Sequence, residues 1–315
     1  MRAAFKYILL LFISGNVFSQ DSLRFFAPSA EFNKFRFMGV AGLQAAGYGG
    51  SLVLLSSTWY QDYDQTSFHS FDDSQEWLQV DKAGHMLTSW YLGRIGTDMM
   101  EWSGVRKRKA IWYGAATSFL YLTGIEVLDG FSQGWGFSWS DMSANALGTG
   151  LIIGQKCLQN AAVNSPLLRG AKELSLKFSF SPTNYPLYRP SLLGNTLAEN
   201  ILKDYNGQTY WMSFNISSFL NAEGKFPKWL NIAMGYGGEG MISGKTGFEY
   251  IDSQGQSTEF IRYRQYYLSL DIDLTKIKTR SHFLKTVFET LSFIKIPAPA
   301  LEMTKYGLRF HPLHY

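Results

Sequence analysis

The spacing of apolar residues changes near residue 170, and this excludes a uniform architecture for the 315-residue chain. Upstream, apolar and small residues recur at helical intervals. Residues 37–60 are rich in Gly, Ala, Leu and Val, a mixture that lets helices approach closely. Residues 82–100 set Met86, Leu87, Trp90, Tyr91 and Ile95 near one face, with Asp81 placed to cap the helix. Residues 110–128 carry almost no charge before Glu126, and residues 140–157 complete a set of about four helices. Ser138 or Ser140 supplies an N-cap for that last helix, and Asp141 suits its positive dipole end.

Downstream, residues 174–180, 211–217 and 266–274 alternate apolar and polar side chains, the period of a strand. Residues 232–236 and 306–310 are further strands, and Asn206-Gly207 is a turn signal. The glycine-rich run 235–240 reads as a turn or bulge. Residues 281–293 read as a short helix or loop, closed by Pro297 and Pro299. The expected fold class is α+β. A helical domain over residues 20–165 precedes a β-rich region over 166–315, an antiparallel sheet or partial barrel packed on the helices. The alternation and the final aromatic residue, Tyr315, would suit outer-membrane strands, but five or six strands fall short of the ~8 of a single-chain barrel.

The chain opens as an exported protein does. Arg2 and Lys6 precede an apolar run over residues 8–13, and Ser19 offers a small residue before Gln20 or Asp21, so residues 1–19 read as a signal peptide. No cysteine lies near that point, which argues against a lipid anchor on an N-terminal cysteine. The single cysteine, Cys157, allows no internal disulfide and reads as a small buried apolar residue. Aromatic residues make up 16% of the chain and charged residues only 17%, against a typical ~25% charged. Amphipathic rings with few charges suit an interface that is wet on one side and apolar on the other. No helix offers a clean apolar run of ~20 residues, which favours a bundle resting on or partly in a membrane over one that spans it. The net charge is only +4, and the cluster at residues 106–109 is short, a solvated loop or headgroup contact. The partners expected are therefore membrane lipid or an envelope protein, with no nucleic acid. The expected location is the periplasm or outer membrane of a Gram-negative envelope, with the inner membrane as alternative.

The residues able to carry chemistry fall in the helical half. Asp81 and His85 are four apart, Glu126 and Asp129 three apart, and Asp141 and Asn145 four apart, so three successive helices each present a polar pair on one face. Buried together, such groups must be paired, neutralised or bound to a cation. Three uses follow: a polar network holding the helices together; acid–base chemistry with His85 as base, oriented by Asp81, and Glu126 or Asp129 as acid; or a divalent-metal site using His85, Glu126, Asp129 and Asp141 with Asn145 as outer partner. The cofactor stays unknown at this point, with a divalent metal as one alternative. His69, His282, His311 and His314 share no ligand spacing, and the last two are expected to be exposed. There is no phosphate-binding glycine loop, nucleophile elbow or zinc-protease helix motif.

The segments Asp81-Lys82-Ala83-Gly84-His85, Glu126 with Asp129-Gly130, and Ser138 to Asn145 with Gly148 resemble the YfiM-like family of bacterial envelope proteins over about residues 40–155. Residues 202–211 resemble the C-terminal extension of its longer members. A weaker similarity links the same motifs to VanZ-like membrane proteins, which share an Asp-Lys-x-x-His segment and an Asp-x-x-Ala-Asn segment. Here Asp129 and Gln133 stand where those proteins have a Glu-x-x-Gln segment. The resemblance implies an envelope location and gives weight to Asp81, His85, Glu126, Asp129, Asp141 and Asn145, without implying a reaction. Three functions stay open: a membrane-associated structural or assembly factor, a lipid- or glycan-directed hydrolase, and a divalent-metal-binding envelope protein.

Overall fold

A computed structural model describes residues 25–58, 64–162, 165–220, 226–251 and 254–315; the signal-peptide reading of residues 1–19 lies outside them. The four expected helices are present: α1 (Lys34–Thr58), α2 (Val80–Trp102), α3 (Lys107–Asp129) and α4 (Trp139–Gln159). Helix α2 is central and packs on both α3 and α4. Glycines make those crossings close. A Cβ on Gly114 would sit 2.2 Å from the Thr97 nitrogen, and one on Gly148 would sit 2.2 Å from the Met86 oxygen. The basic residues after Arg106 form the exposed first turn of α3 and not a loop, with Arg106 at the N-cap.

Helix α1 differs from its neighbours because most of its surface is exposed, including Phe35, Met38, Leu43, Val53 and Leu54. Its stretch Lys34–Ser57 is, by length and composition, long and apolar enough to cross a membrane. This corrects the expectation that no helix qualifies: Gly and Ala dilute the apolar run without adding charge, and Lys34 and Arg36 are its only charged residues. Cys157 is a second correction. It is exposed on α4, since it lies five residues beyond buried Ile152 and so turns to the opposite side.

A short helix α5 (Pro166–Lys172) leads into the β region. Strands β1 (Ser175–Phe180), β2 (Gln208–Asn215), β3 (Leu230–Glu239), β6 (Tyr263–Ile272), β7 (Ala298–Thr304) and β8 (Gly307–His314) form one antiparallel sheet in the order β1-β2-β3-β6-β7-β8. Between β3 and β6, β4 (Glu249–Ile251) and β5 (Ser257–Glu259) form a separate two-stranded ribbon. Helices α6 (Leu197–Lys203) and α7 (His282–Leu291) lie in the connections. The glycine run is strand and not turn: β3 continues to Glu239, and only Gly240, at φ +79°, turns the chain. Gly235 is needed inside the strand because the Trp211 ring lies 2.7 Å from where its Cβ would stand.

The sheet meets the bundle where Leu176, Phe178 and Tyr210 pack on Leu87, Trp90 and Ile152. Its other face is buried and largely polar. Lys177 pairs with Asp271 at 2.6 Å, with side chains only 1% and 0% exposed. The Ser213 hydroxyl donates to Asp271 at 2.6 Å, and Asn231 donates to Ser213 at 2.9 Å. His311 and His314, expected to be exposed, both turn partly into this face because β8 pairs with β7 and the register shift at Ala298/Ala300 inserts an extra β8 residue between them. His311 Nε2 lies 2.6 Å from Glu302, and the His314 ring stacks on Tyr267 at 4.4 Å.

The α2–α4 crossing sets the positions of Met86 and Asn145, so it can be tested directly. Gly148→Ala forces the Met86 carbonyl to move and is expected to destabilise the fold by ~1–3 kcal/mol in urea titration. Gly150→Ala on the same helix meets nothing within 4 Å and is expected to be neutral or to stabilise by up to ~1 kcal/mol.

Candidate functional site

The site begins before α2, in a turn of three consecutive left-handed residues: Trp77 (φ 47°), Leu78 (φ 52°) and Gln79 (φ 64°). Each costs roughly 1–2 kcal/mol relative to right-handed backbone, so tertiary contacts must hold them. Trp77 is buried with Val80, Leu193 and Met241, and its backbone N–H donates to the Gly244 carbonyl at 3.2 Å. The Tyr236 hydroxyl donates to the Leu78 carbonyl, and Arg264 donates to the Gln79 side chain at 2.6 Å. The N-cap of α2 is Gln79, so Asp81 lies in the first turn and is not the cap.

Beyond this turn Lys82 becomes the centre of a carboxylate cluster. Its Nζ lies 2.5 Å from Asp73, 2.8 Å from Asp81 and 3.0 Å from Asp141. Asp73 also accepts from the Ser138 and Ser140 hydroxyls, both at 2.6 Å. Ser138 caps α4 as expected, accepting from the Asp141 N–H at 3.0 Å. Burial alone would raise the Asp73 carboxyl, but hydrogen bonds from Asp141, Lys82, Ser138 and Ser140 outweigh it and hold the group at about 2. Asp81 has no such set of donors, and burial pushes it up to about 6 despite Lys82.

One turn along α2, His85 lies between two further carboxylates. Its Nδ1 is 3.6 Å from Glu126 Oε1 and 3.2 Å from Asn145 Oδ1, and its Nε2 is 4.0 Å from Asp141 Oδ2. Glu126 is 1% exposed. Its Oε2 accepts from the Ser138 N–H at 3.3 Å, while its Oε1 has no hydrogen-bond partner among the described residues. Burial pushes the Glu126 carboxyl up to about 9, with Asp141 and Asp129 adding to the shift. Burial also raises Asp141, against the opposing pull of His85 and Lys82.

Five of the six residues singled out from the sequence therefore meet: Asp81, His85, Glu126, Asp141 and Asn145. Asp129 lies a turn beyond Glu126 and acts on it through charge, without joining either cluster of candidate ligands. Two members were missed. Asp73 lies in a loop with no periodic signal, and Lys82 read only as part of a motif because surface lysines are common. Donor atoms of two triplets lie within 4.8 Å of one another: His85, Glu126 and Asp141, and Asp73, Asp81 and Asp141. The Lys82 ammonium already sits among the second triplet, so the first is the one left to a cation or to proton transfer.

The pH dependence follows from the raised carboxyls. Glu126 holds a proton in the folded state from its ordinary 4.5 up to about 9, and Asp81 does so up to about 6. The folded state binds more protons over that range, so their stabilising contribution is full at low pH and lost as pH rises. Without added metal, urea midpoints are expected to fall between about pH 5 and pH 9. Glu126→Gln is expected to flatten most of that slope.

Residues 69–154 match the family described as Predicted periplasmic lipoprotein (DUF2279), and that span contains every residue of both clusters. The description agrees with an envelope location and supports neither the YfiM-like nor the VanZ-like assignment in particular. No curated protein and no solved structure matches the chain. The chain is similar across its whole candidate site to predicted periplasmic lipoproteins, and with its basic and apolar opening it is an exported protein of the periplasm-facing envelope.

Proposed function

We propose that this exported envelope protein binds one divalent cation in its helical bundle, held by His85, Glu126 and Asp141, with Asn145 beside the histidine. The observation that carries this reading is the buried Glu126 Oε1, which has no hydrogen-bond partner among the described residues and lies 3.6 Å from His85 Nδ1 within the triplet. A single lysine cannot balance the buried carboxyls of Asp81, Glu126 and Asp141 and the half-buried one of Asp73, and a cation would replace the proton that Glu126 otherwise retains. One imidazole and two carboxylates suit Zn²⁺, Mn²⁺ or Fe²⁺. Binding then draws the donor atoms together.

A second reading is acid–base hydrolysis of an envelope lipid or glycan. It draws on the histidine being 23% exposed while each ring nitrogen faces a buried carboxylate. A third keeps the same network as the fastening of a membrane-associated assembly factor.

The reading is tested by metal analysis of the purified mature chain and by thermal shift with Zn²⁺ or Mn²⁺. One bound ion per chain is expected. Ligand at about 100 times its dissociation constant adds ~2.7 kcal/mol of stability, and that gain should vanish in Glu126→Gln and Asp141→Asn. Absence of both the ion and the shift overturns the metal site. His85→Ala then separates the rest: a folded but inactive protein supports hydrolysis, whereas lowered abundance that accounts for the whole loss of function supports the assembly role.

A further inference from the structure

The six-stranded sheet is inverted relative to a sheet in water. Its buried side carries Lys177, Asp271, Glu302, Ser213, Ser269 and Asn231, while the side facing out is apolar. Strand register lines up Met212, Met234, Leu268, Leu301 and Phe310 as one row across five strands. Each is between 40% and 64% exposed. Ile232 and Leu270 pair in the row on one side, and Tyr266, Met303 and Leu308 in the row on the other. In water such a face is a liability, and burying lysine and aspartate beneath it compounds the cost. Polar-in, apolar-out alternation is what a strand adopts when its solvent is hydrocarbon.

We propose that the outward face of β3, β6, β7 and β8 lies against the hydrocarbon of a lipid bilayer. Dimensions and edges both fit. Strands β3 and β6 have 10 residues each, within the ~9–11 residues of a membrane strand. From Tyr266 to Ile272 the apolar band is about 20 Å tall at ~3.3 Å per residue, close to the ~25 Å of outer-membrane strands. At the end where β3 starts and β6 finishes, exposed Trp229 stands beside Lys228. There the chain continues from β6 through Lys276, which pairs with Glu173, to Lys278 and Arg280, which stand exposed with Lys228 as the cations of that edge. Helix α7 follows, with Lys285 3.9 Å from Glu289 and with Phe283, Leu284 and Leu291 exposed. An aromatic and basic edge of this kind complements an anionic headgroup layer. At the opposite end Tyr266 and Tyr306 are exposed beside Arg264 and Lys305.

Lipid fits this face better than a protein partner does. Protein interfaces carry about one hydrogen bond per 100–200 Å². The central five-strand row offers none from its side chains, and neither does the Ile232–Leu270 pair. Where β1 and the neighbouring part of β2 turn the same face inward, α2 and α4 cover it instead. This inference is independent of the cation site.

Spin labelling tests it in the full mature chain. In a Cys157→Ser background, Leu268→Cys and Leu301→Cys carry a nitroxide, and Thr258→Cys in the exposed ribbon serves as the water reference. The protein is mixed with phosphatidylethanolamine–phosphatidylglycerol vesicles, floated on a gradient, and checked for retained fold by circular dichroism. Labels at 268 and 301 are expected to collide several-fold more with oxygen than with a water-soluble nickel complex, with the reverse at 258. Nickel-favoured collisions at 268 and 301 would place the face in water and overturn the proposal. Low access to both reagents would mean that a protein or second copy covers the face, which overturns it equally. Failure of the unlabelled chain to float with the vesicles would also overturn it.

Discussion

The helical unit depends on how one ammonium group is held. Lys82 reaches Asp73 in the loop before α2, Asp81 beside it on α2, and Asp141 at the start of α4. A lone surface ion pair contributes little, but these side chains are mostly buried, and removing the cation would leave three carboxyls crowded together. The cluster therefore fixes where α4 begins relative to α2. Ser138 joins both parts: its hydroxyl caps α4 and donates to Asp73, while its backbone N–H donates to Glu126. With Lys82 taking up the charge of one triplet, the shortfall passes to the other, where Glu126 must keep its proton or meet a cation.

The architecture was legible wherever side-chain period carried it. Four helices and five strands follow from spacings of 3.6 and 2, because burial of one face selects the same residues in sequence and in space. The sixth strand of the sheet, β7, was hidden by Pro297 and Pro299, which normally mark loops. Here Pro299 is exposed beside the register shift at Ala298 and Ala300, a place where a missing N–H costs nothing in pairing. The glycine run at 235–240 misled in the opposite direction. Gly235 leaves room for the Trp211 ring and Gly238 for Met241, Leu78 and Val80, and only Gly240 needs unusual backbone.

Most of the site was legible for the same reason, since three polar pairs on apolar helices have few places to go except toward one another. Asp73 was not, because a loop aspartate carries no periodicity and its role depends on three left-handed residues that no local propensity favours. His311 and His314 escaped for a different reason. Nearness to the C-terminus suggests exposure, whereas β8 pairs with β7 and the register shift at Ala298/Ala300 brings both rings to the buried face. In this sheet the polar side is buried, so alternation alone shows that two faces exist and leaves open which one meets solvent.

The sheet also explains a glycine within the Asp81–His85 motif. A Cβ at Gly84 would lie 2.7 Å from the Tyr210 hydroxyl, whose ring comes from β2 and packs among Trp90, Leu87 and Phe178. The hydroxyl is tied to Gln208 at 2.8 Å and has little freedom to withdraw. Tyr210 thus presses on the bare backbone midway between Lys82 and His85 and sets the depth of α2 against the sheet. The left-handed turn fixes where α2 starts, and Tyr236 from β3 and Arg264 from β6 hold that turn. The two halves are accordingly one mechanical unit.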